Sequence, residues 1–305
     1  MKHLRDILKN ADSRGVAIGH FNISDLVALR AIFDAARETS VPVIVGTSEG
    51  EREFIGPKLA VALVKSLCDE YNYPIFLNAD HTHSLEKVKE AAQAGYDEII
   101  FDPTANLAVK YGASGRAKEL EENIKETKRA VEIIKSINPD ILIEGEIGYI
   151  GSSSEVMKEK PEGIELTTPE EAMQFVKETG VDVLAPAVGN MHGLLARTDA
   201  DSTRTYAEKR LDIERIKAIK GAVGIPLTLH GGSGTADEDF VAAIKAGMNI
   251  IHINTEIRIA WRRGVEEGLK KNLDEVAPYK ILPPAYEAIK KIVMERLKLF
   301  NGLRF

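Results

Sequence analysis

The chain has 305 residues, 44% hydrophobic and 29% charged, the balance of a globular protein rather than a disordered or fibrous one. Forty basic against 47 acidic side chains leave a net charge of −7, which argues against a nucleic-acid partner. A single cysteine excludes an internal disulfide, no apolar run approaches the roughly 20 residues of a membrane span, and Met1-Lys2-His3-Leu4-Arg5-Asp6 carries no signal-peptide stretch. The expectation is a cytoplasmic protein with no membrane partner.

Short apolar, β-branched runs alternate with helical patterns along the whole chain. A strand over 16–23 leads into a helix over 26–39, for which Ser24 or Asp25 is the cap. Strands over 41–48 and 74–80 follow, then a helix over 85–94 capped by Ser84 and stopped at Gly95. The strand over 98–102 precedes a long helix over 118–137 and a strand over 141–148. Thr168-Pro169-Glu170-Glu171 opens a helix over 169–179, with a capping hydroxyl before a proline at the first helical position. Strands over 183–189, 226–232 and 250–256 complete the series, with helices over 213–220 and 236–246 between them. A further helix, carrying Trp261, Arg262 and Arg263, follows the last strand and is a candidate subunit interface.

Eight mostly apolar strands suit a parallel sheet buried on both faces, and strict βα alternation eight times over predicts an α/β fold, the (β/α)₈ TIM barrel. The spacing predicts a single domain over 1–305, with an additional C-terminal helix over 284–300, an oversized helix after strand four and long loops after strands five and six. The rival, an open doubly wound sheet, lacks its Gly-x-Gly-x-x-Gly after strand one.

In such a barrel the chemistry sits at the C-terminal ends of the strands. Six of the seven histidines fall there: His20, His81, His83, His192, His230 and His252. Asp80, Asp102, Glu144, Glu146 and Glu256 share that rim. Imidazoles from separate strands, backed by carboxylates, suit a divalent transition metal such as Zn²⁺ with one open coordination position. Gly231-Gly232-Ser233-Gly234, straight after strand seven, stands where these barrels hold phosphate.

Six motifs resemble the class II, metal-dependent fructose-bisphosphate aldolase family, which includes the tagatose-bisphosphate aldolases. They are Phe21-Asn22-Ile23, Asn78-Ala79-Asp80-His81, Glu144-Gly145-Glu146-Ile147-Gly148, Val188-Gly189-Asn190-Met191-His192-Gly193, His230-Gly231-Gly232-Ser233-Gly234 and Asn254-Thr255-Glu256. The resemblance implies His81, His192 and His230 as zinc ligands, with Asp102 and Glu146 as orienting or alternative metal residues. It implies Asp80 as the acid that exchanges a proton with the substrate's C4 hydroxyl. Gly193, Gly231, Ser233 and Thr255 match the cradle for the phosphate of dihydroxyacetone phosphate. Asn22, Ser48, His252 and Asn254 are further substrate-contact candidates. Arg258 matches an arginine that in some members reaches the far phosphate of a neighbouring subunit, which implies a homodimer or homotetramer. The expected substrate is a phosphorylated ketose, above all fructose 1,6-bisphosphate, and a monovalent cation is a second candidate cofactor. None of the eight predicted strands carries a lysine, which agrees with a metal route rather than a Schiff base.

Four features depart from the family pattern. Ile250 and His252 replace its Lys-x-Asn on strand eight, and Asn254 replaces an aspartate or alanine. The loop after strand five reads Gly151-Ser152-Ser153-Ser154-Glu155, leaving Glu155 as the candidate proton carrier at C3. After strand four stands Asp102-Pro103-Thr104-Ala105-Asn106. These changes leave the ketose stereochemistry and the aldehyde half open, with tagatose 1,6-bisphosphate or another phosphoketose as the alternative. His81-Thr82-His83 also suggests an amidohydrolase-type metal hydrolase, but that pair belongs on strand one with an aspartate ending strand eight, where this chain has Asn254-Thr255-Glu256. A non-catalytic binding subunit would be expected to lose the metal ligands, and they are present.

Overall fold

A computed structural model of the chain describes residues 3–111, 116–148, 150–151, 156–157, 166–196, 206–271 and 273–304. Eight strands form a closed parallel barrel: β1 Ile18–Asn22, β2 Val43–Thr47, β3 Ile75–Thr82, β4 Glu98–Phe101, β5 Leu142–Ile147, β6 Val183–Pro186, β7 Leu227–Leu229 and β8 Met248–Ile253. Each pairs with its sequence neighbour, and β1 closes on β8 through Ile18↔Ile250 to Phe21↔Ile253. That closure removes the open doubly wound alternative.

The helices are α1 Leu4–Arg14, α2 Leu26–Thr39, α3 Glu49–Ile55, α4 Pro57–Tyr71, α5 Leu85–Ala94, α6 Thr104–Tyr111 and α7 Arg116–Ile137. They continue with α8 Pro169–Thr179, α9 Ile213–Val223, α10 Asp237–Ala246, α11 Thr255–Lys271, α12 Pro278–Ile281 and α13 Pro283–Phe300. The anticipated caps form. Asp25 accepts from the Ala28 amide, Ser84 from that of Lys87, and Thr168 makes a capping box with Glu171. No described helix is long and apolar enough to cross a membrane.

Four features depart from the expectation. The N-terminal residues form α1, whose Leu4, Ile7, Leu8 and Ala11 close the N-terminal end of the barrel against Ile18, Ile44, Phe76, Leu142, Val183 and Ile250. Residues 49–71 form α3 and α4, which the apolar pattern does not announce, because α4 buries only the narrow stripe Ala60, Val64 and Cys68. The long step after strand four holds two helices, α6 and α7, instead of one. In the loops after β5 and β6, the short strands Val156–Met157, Leu194–Ala196 and Tyr206–Ala207 form a small three-stranded sheet.

The C-terminal helix α13 is an integral part of the barrel wall. Its buried Ala285, Ile289, Val293 and Leu297 pack beside α2 and α11. On α11, Gly264 and Gly268 let the backbones of Ala285 and Ile281 approach so closely that a Cβ at either position would overlap them. Trp261 also faces inward, its indole donating to Asp25 over 2.7 Å, and Arg262 pairs with Glu266 along the same helix.

Candidate active site

Asp80 and His81 are consecutive on β3, and a regular strand would aim them to opposite faces. The strand is not regular there. Pairing with β4 runs Ala79↔Ile99 and then Thr82↔Phe101, so one extra residue is accommodated. His81 takes a left-handed φ of 44°, which costs a non-glycine residue energy and marks a functional position. Arg52, buried on α3, holds the bulge. Its guanidinium donates to the carbonyls of Thr47 and Asp80 and, over 3.0 Å, to the Thr82 hydroxyl. Both side chains thereby reach one cleft.

Below its mouth, His81, His192, His230 and Glu146 offer ligand atoms that all lie within 4.8 Å of one another. His81 Nε2 stands 3.2 Å from His230 Nδ1, close to the roughly 3.3 Å between two nitrogens that share a tetrahedral zinc. The other nitrogen of each ring is engaged by a carboxylate: His81 Nδ1 by Asp102 at 2.8 Å, and His230 Nε2 by Glu144 at 2.6 Å. Such partners fix the tautomer and aim the remaining nitrogen at a metal. Thr228 donates to the second Glu144 oxygen over 2.6 Å, and Thr104 binds Asp102 through its amide and hydroxyl. His192 Nε2, Glu146 Oε2 and Asp80 Oδ1 are buried without a hydrogen-bond partner among the described residues, an arrangement that calls for a cation. The donor set fits a divalent ion.

The electrostatics of the metal-free site follow from the same contacts. Burial would lower the His81 imidazolium, but Asp80, Asp102 and Glu146 overcome that and carry it up to about 10. Burial and the His81 charge press His230 down to about 3 and hold His192 well below its ordinary value. Burial raises Glu146 well above the usual carboxylate range, with Asp102 adding to it, and carries Glu144 up to about 8. Asp80 is buried too, yet His81 and His252 hold it well below its ordinary value, so it is a carboxylate.

His252 lies flat between two other imidazoles. Its ring stacks on His20 with centroids 3.5 Å apart and on His230 at 4.2 Å, and its Nδ1 is 3.6 Å from Asp80 Oδ1. His20 is fully buried and, by burial above all, held neutral. Gly46 on β2 makes this possible, since a Cβ there would overlap the His20 ring.

The cleft above these groups is a cavity of about 220 Å³. Asn22, Ser48, Gly193, Gly231, Ser233, His252, Asn254, Thr255 and Arg258, the nine substrate-contact expectations, all line it, together with Asp80, His81, His83, Asp102 and His192. The first turn of α11 begins at its edge, and the N-terminal end of a helix favours an anion.

The class-II fructose-bisphosphate aldolase family profile matches residues 2–303. The chain belongs to that family. A probable fructose-bisphosphate aldolase of Bacillus subtilis is 33% identical over 98% of this chain and 97% of its own length. The fructose-bisphosphate aldolase of Geobacillus stearothermophilus is also 33% identical, over 98% and 96%. Among solved structures, the YdjI aldolase of Escherichia coli K12 superposes with a TM-score of 0.77 at 29% identity, covering 97% of this chain and 96% of the other.

Within this class II aldolase chain, Glu155 lies outside the described residues. Arg258 lines the cleft of its own chain, where its guanidinium donates to Glu51 over 2.8 Å. His83 lines the cleft with its Nδ1 2.7 Å from the Asp102 carbonyl. Sequence reasoning missed Glu51 and Arg52. Glu51 is buried and accepts from Asn22, Ser24, the Ser48 amide and Arg258, tying three of the expected substrate-contact residues to α3. The signal was present as Ser48-x-x-Glu51, a capping-box pattern opening an unrecognised helix.

Proposed function

We propose that the chain is a zinc-dependent aldolase that cleaves a phosphorylated ketose, foremost fructose 1,6-bisphosphate, into dihydroxyacetone phosphate and an aldehyde, glyceraldehyde 3-phosphate in that case. The observation that carries this reading is the bulge on β3, which turns an ionised Asp80 and the metal-ligand candidate His81 into the same cleft. His81, His192 and His230 would hold the ion, with Glu146 as the alternative ligand and Asp102 and Glu144 as orienting carboxylates. When bound, zinc supplies Lewis-acid stabilisation of the negative charge that cleavage leaves on the ketone half.

The protein's own groups do the rest. Asp80, ionised and steadied by a 2.8 Å hydrogen bond from the Asn22 amide, takes the proton of the C4 hydroxyl during cleavage and returns it during condensation. Gly193, Gly231, Ser233 and Thr255 receive the phosphate of the ketone half at the start of α11. His252 and Asn254 face the sugar hydroxyls, and Arg258 with Ser48 stands toward the far end of the substrate. Glu155 is the proton carrier at C3 in this reading. The enzyme works in the cytoplasm as one domain over 1–305, in a homodimer or homotetramer.

A screen of the zinc-loaded protein over fructose and tagatose mono- and bisphosphates tests the reading. Cleavage fastest with fructose 1,6-bisphosphate supports it. A clear preference for a tagatose phosphate would reassign the substrate to the tagatose branch, and no cleavage of any phosphoketose would refute the activity.

A further inference from the structure

Lys209 is a buried lysine, 4% exposed, placed behind the glycines of the cleft and outside the cleft lining. Its Nζ donates to three backbone carbonyls: Met191 at 2.7 Å, Gly193 at 2.9 Å and Gly231 at 2.6 Å. Burial presses the Lys209 ammonium down to about 7, but an ammonium has three N–H donors and a neutral amine two, so the three carbonyl acceptors favour the charged form. The backbone of Lys209 is pinned as firmly, its amide donating to the Gly234 carbonyl and its carbonyl accepting from the Ala236 amide. Next to it, Arg210 makes a two-point bond to Asp239.

Several carbonyl oxygens around one unit charge is how proteins hold a dehydrated potassium or sodium ion. Here two of the three oxygens belong to Gly193 and Gly231, glycines of the proposed phosphate cradle, and the third precedes His192. Three carbonyl dipoles with their negative ends gathered behind a phosphate dianion would repel it. A fixed positive charge among them reverses that field where water is scarce and screening weak. The monovalent cation expected from the family resemblance therefore does not fit at these oxygens, because the chain's own ammonium already occupies them.

We propose that the Lys209 ammonium is a built-in monovalent cation that joins the loops after β6 and β7 and sustains phosphate binding, so that the enzyme needs no potassium or sodium. Lys209 is a positioning residue that acts through Gly193 and Gly231, and the inference rests on the phosphate cradle proposed above.

Titration calorimetry of inorganic phosphate into the zinc-loaded protein, in tetramethylammonium and in potassium buffers of equal ionic strength, provides the test. The unaltered protein should bind phosphate within about twofold equally in both buffers. Lys209→Ala should bind at least about tenfold more weakly in tetramethylammonium and recover with potassium or ammonium, which can enter the space left behind. A potassium requirement in the unaltered protein would overturn the proposal. So would phosphate binding by Lys209→Ala that is undiminished or that no small cation restores. If Lys209→Ala does not fold, the buffer comparison on the unaltered protein still decides. Absence of phosphate binding in either buffer would remove the cradle, and this role of Lys209 with it.

Discussion

Asp80 owes its place in the cleft to a backbone irregularity one residue away. In the metal-free protein His81 and His252 hold its carboxyl well below the ordinary value against the effect of burial, and the left-handed His81 turns it toward the cleft. Because Asp80 is not among the three histidine ligand candidates, Asp80→Ala should lower kcat by about 10² or more while leaving the bound zinc per chain unchanged. Turnover and metal content measured on the same sample check this, and a near-normal rate would remove Asp80 from proton transfer. At this scale the histidines and Asp80 were legible because strand ends mark the catalytic face. Lys209 was not, since it lies in a loop and its three partners are backbone carbonyls that no residue type announces. Glu51 and Arg52 escaped notice for a related reason, their partners lying on β1, β3 and α11.

Among the elements, α3 is the one whose loss would cost the site most. Arg52 spans the ends of β2 and β3, and removing its guanidinium leaves buried carbonyls at Thr47 and Asp80 unpaired. Arg52→Met should therefore destabilise the fold by about 3 kcal/mol and reduce kcat, because the bulge that aims Asp80 loses its brace. Urea melts and steady-state rates measure the two effects, and a variant as stable and active as the parent would show that β3 holds its bulge unaided. The strands and most helices could be read from β-branched runs, caps and terminal glycines. The helix pair α3–α4 could not, since its buried stripe is small and partly alanine and cysteine, and α1 looked like an ordinary polar N-terminus with only four apolar residues to bury.

Across the whole molecule, stability and chemistry occupy opposite ends of the barrel. The helix α1 seals the N-terminal end with Leu8, 1% exposed, against strand residues such as Ile44 and Phe76. The histidines and carboxylates gather at the other. Leu8→Ala should cost about 2–5 kcal/mol of stability and leave kcat at assay temperature unchanged, as thermal melts and rates on the folded protein will show. The barrel was legible as a whole because eight βα steps close only one way, whereas the small sheet in the loops after β5 and β6 depends on pairings between distant segments. That separation leaves the metal as the decisive element of the mechanism. Cleavage of fructose 1,6-bisphosphate before chelation, after chelation and after zinc is returned, with a borohydride trap in parallel, tests it most directly. Activity should vanish with the metal, return with zinc and leave no borohydride adduct; activity that survives chelation and is trapped by borohydride would contradict the metal mechanism.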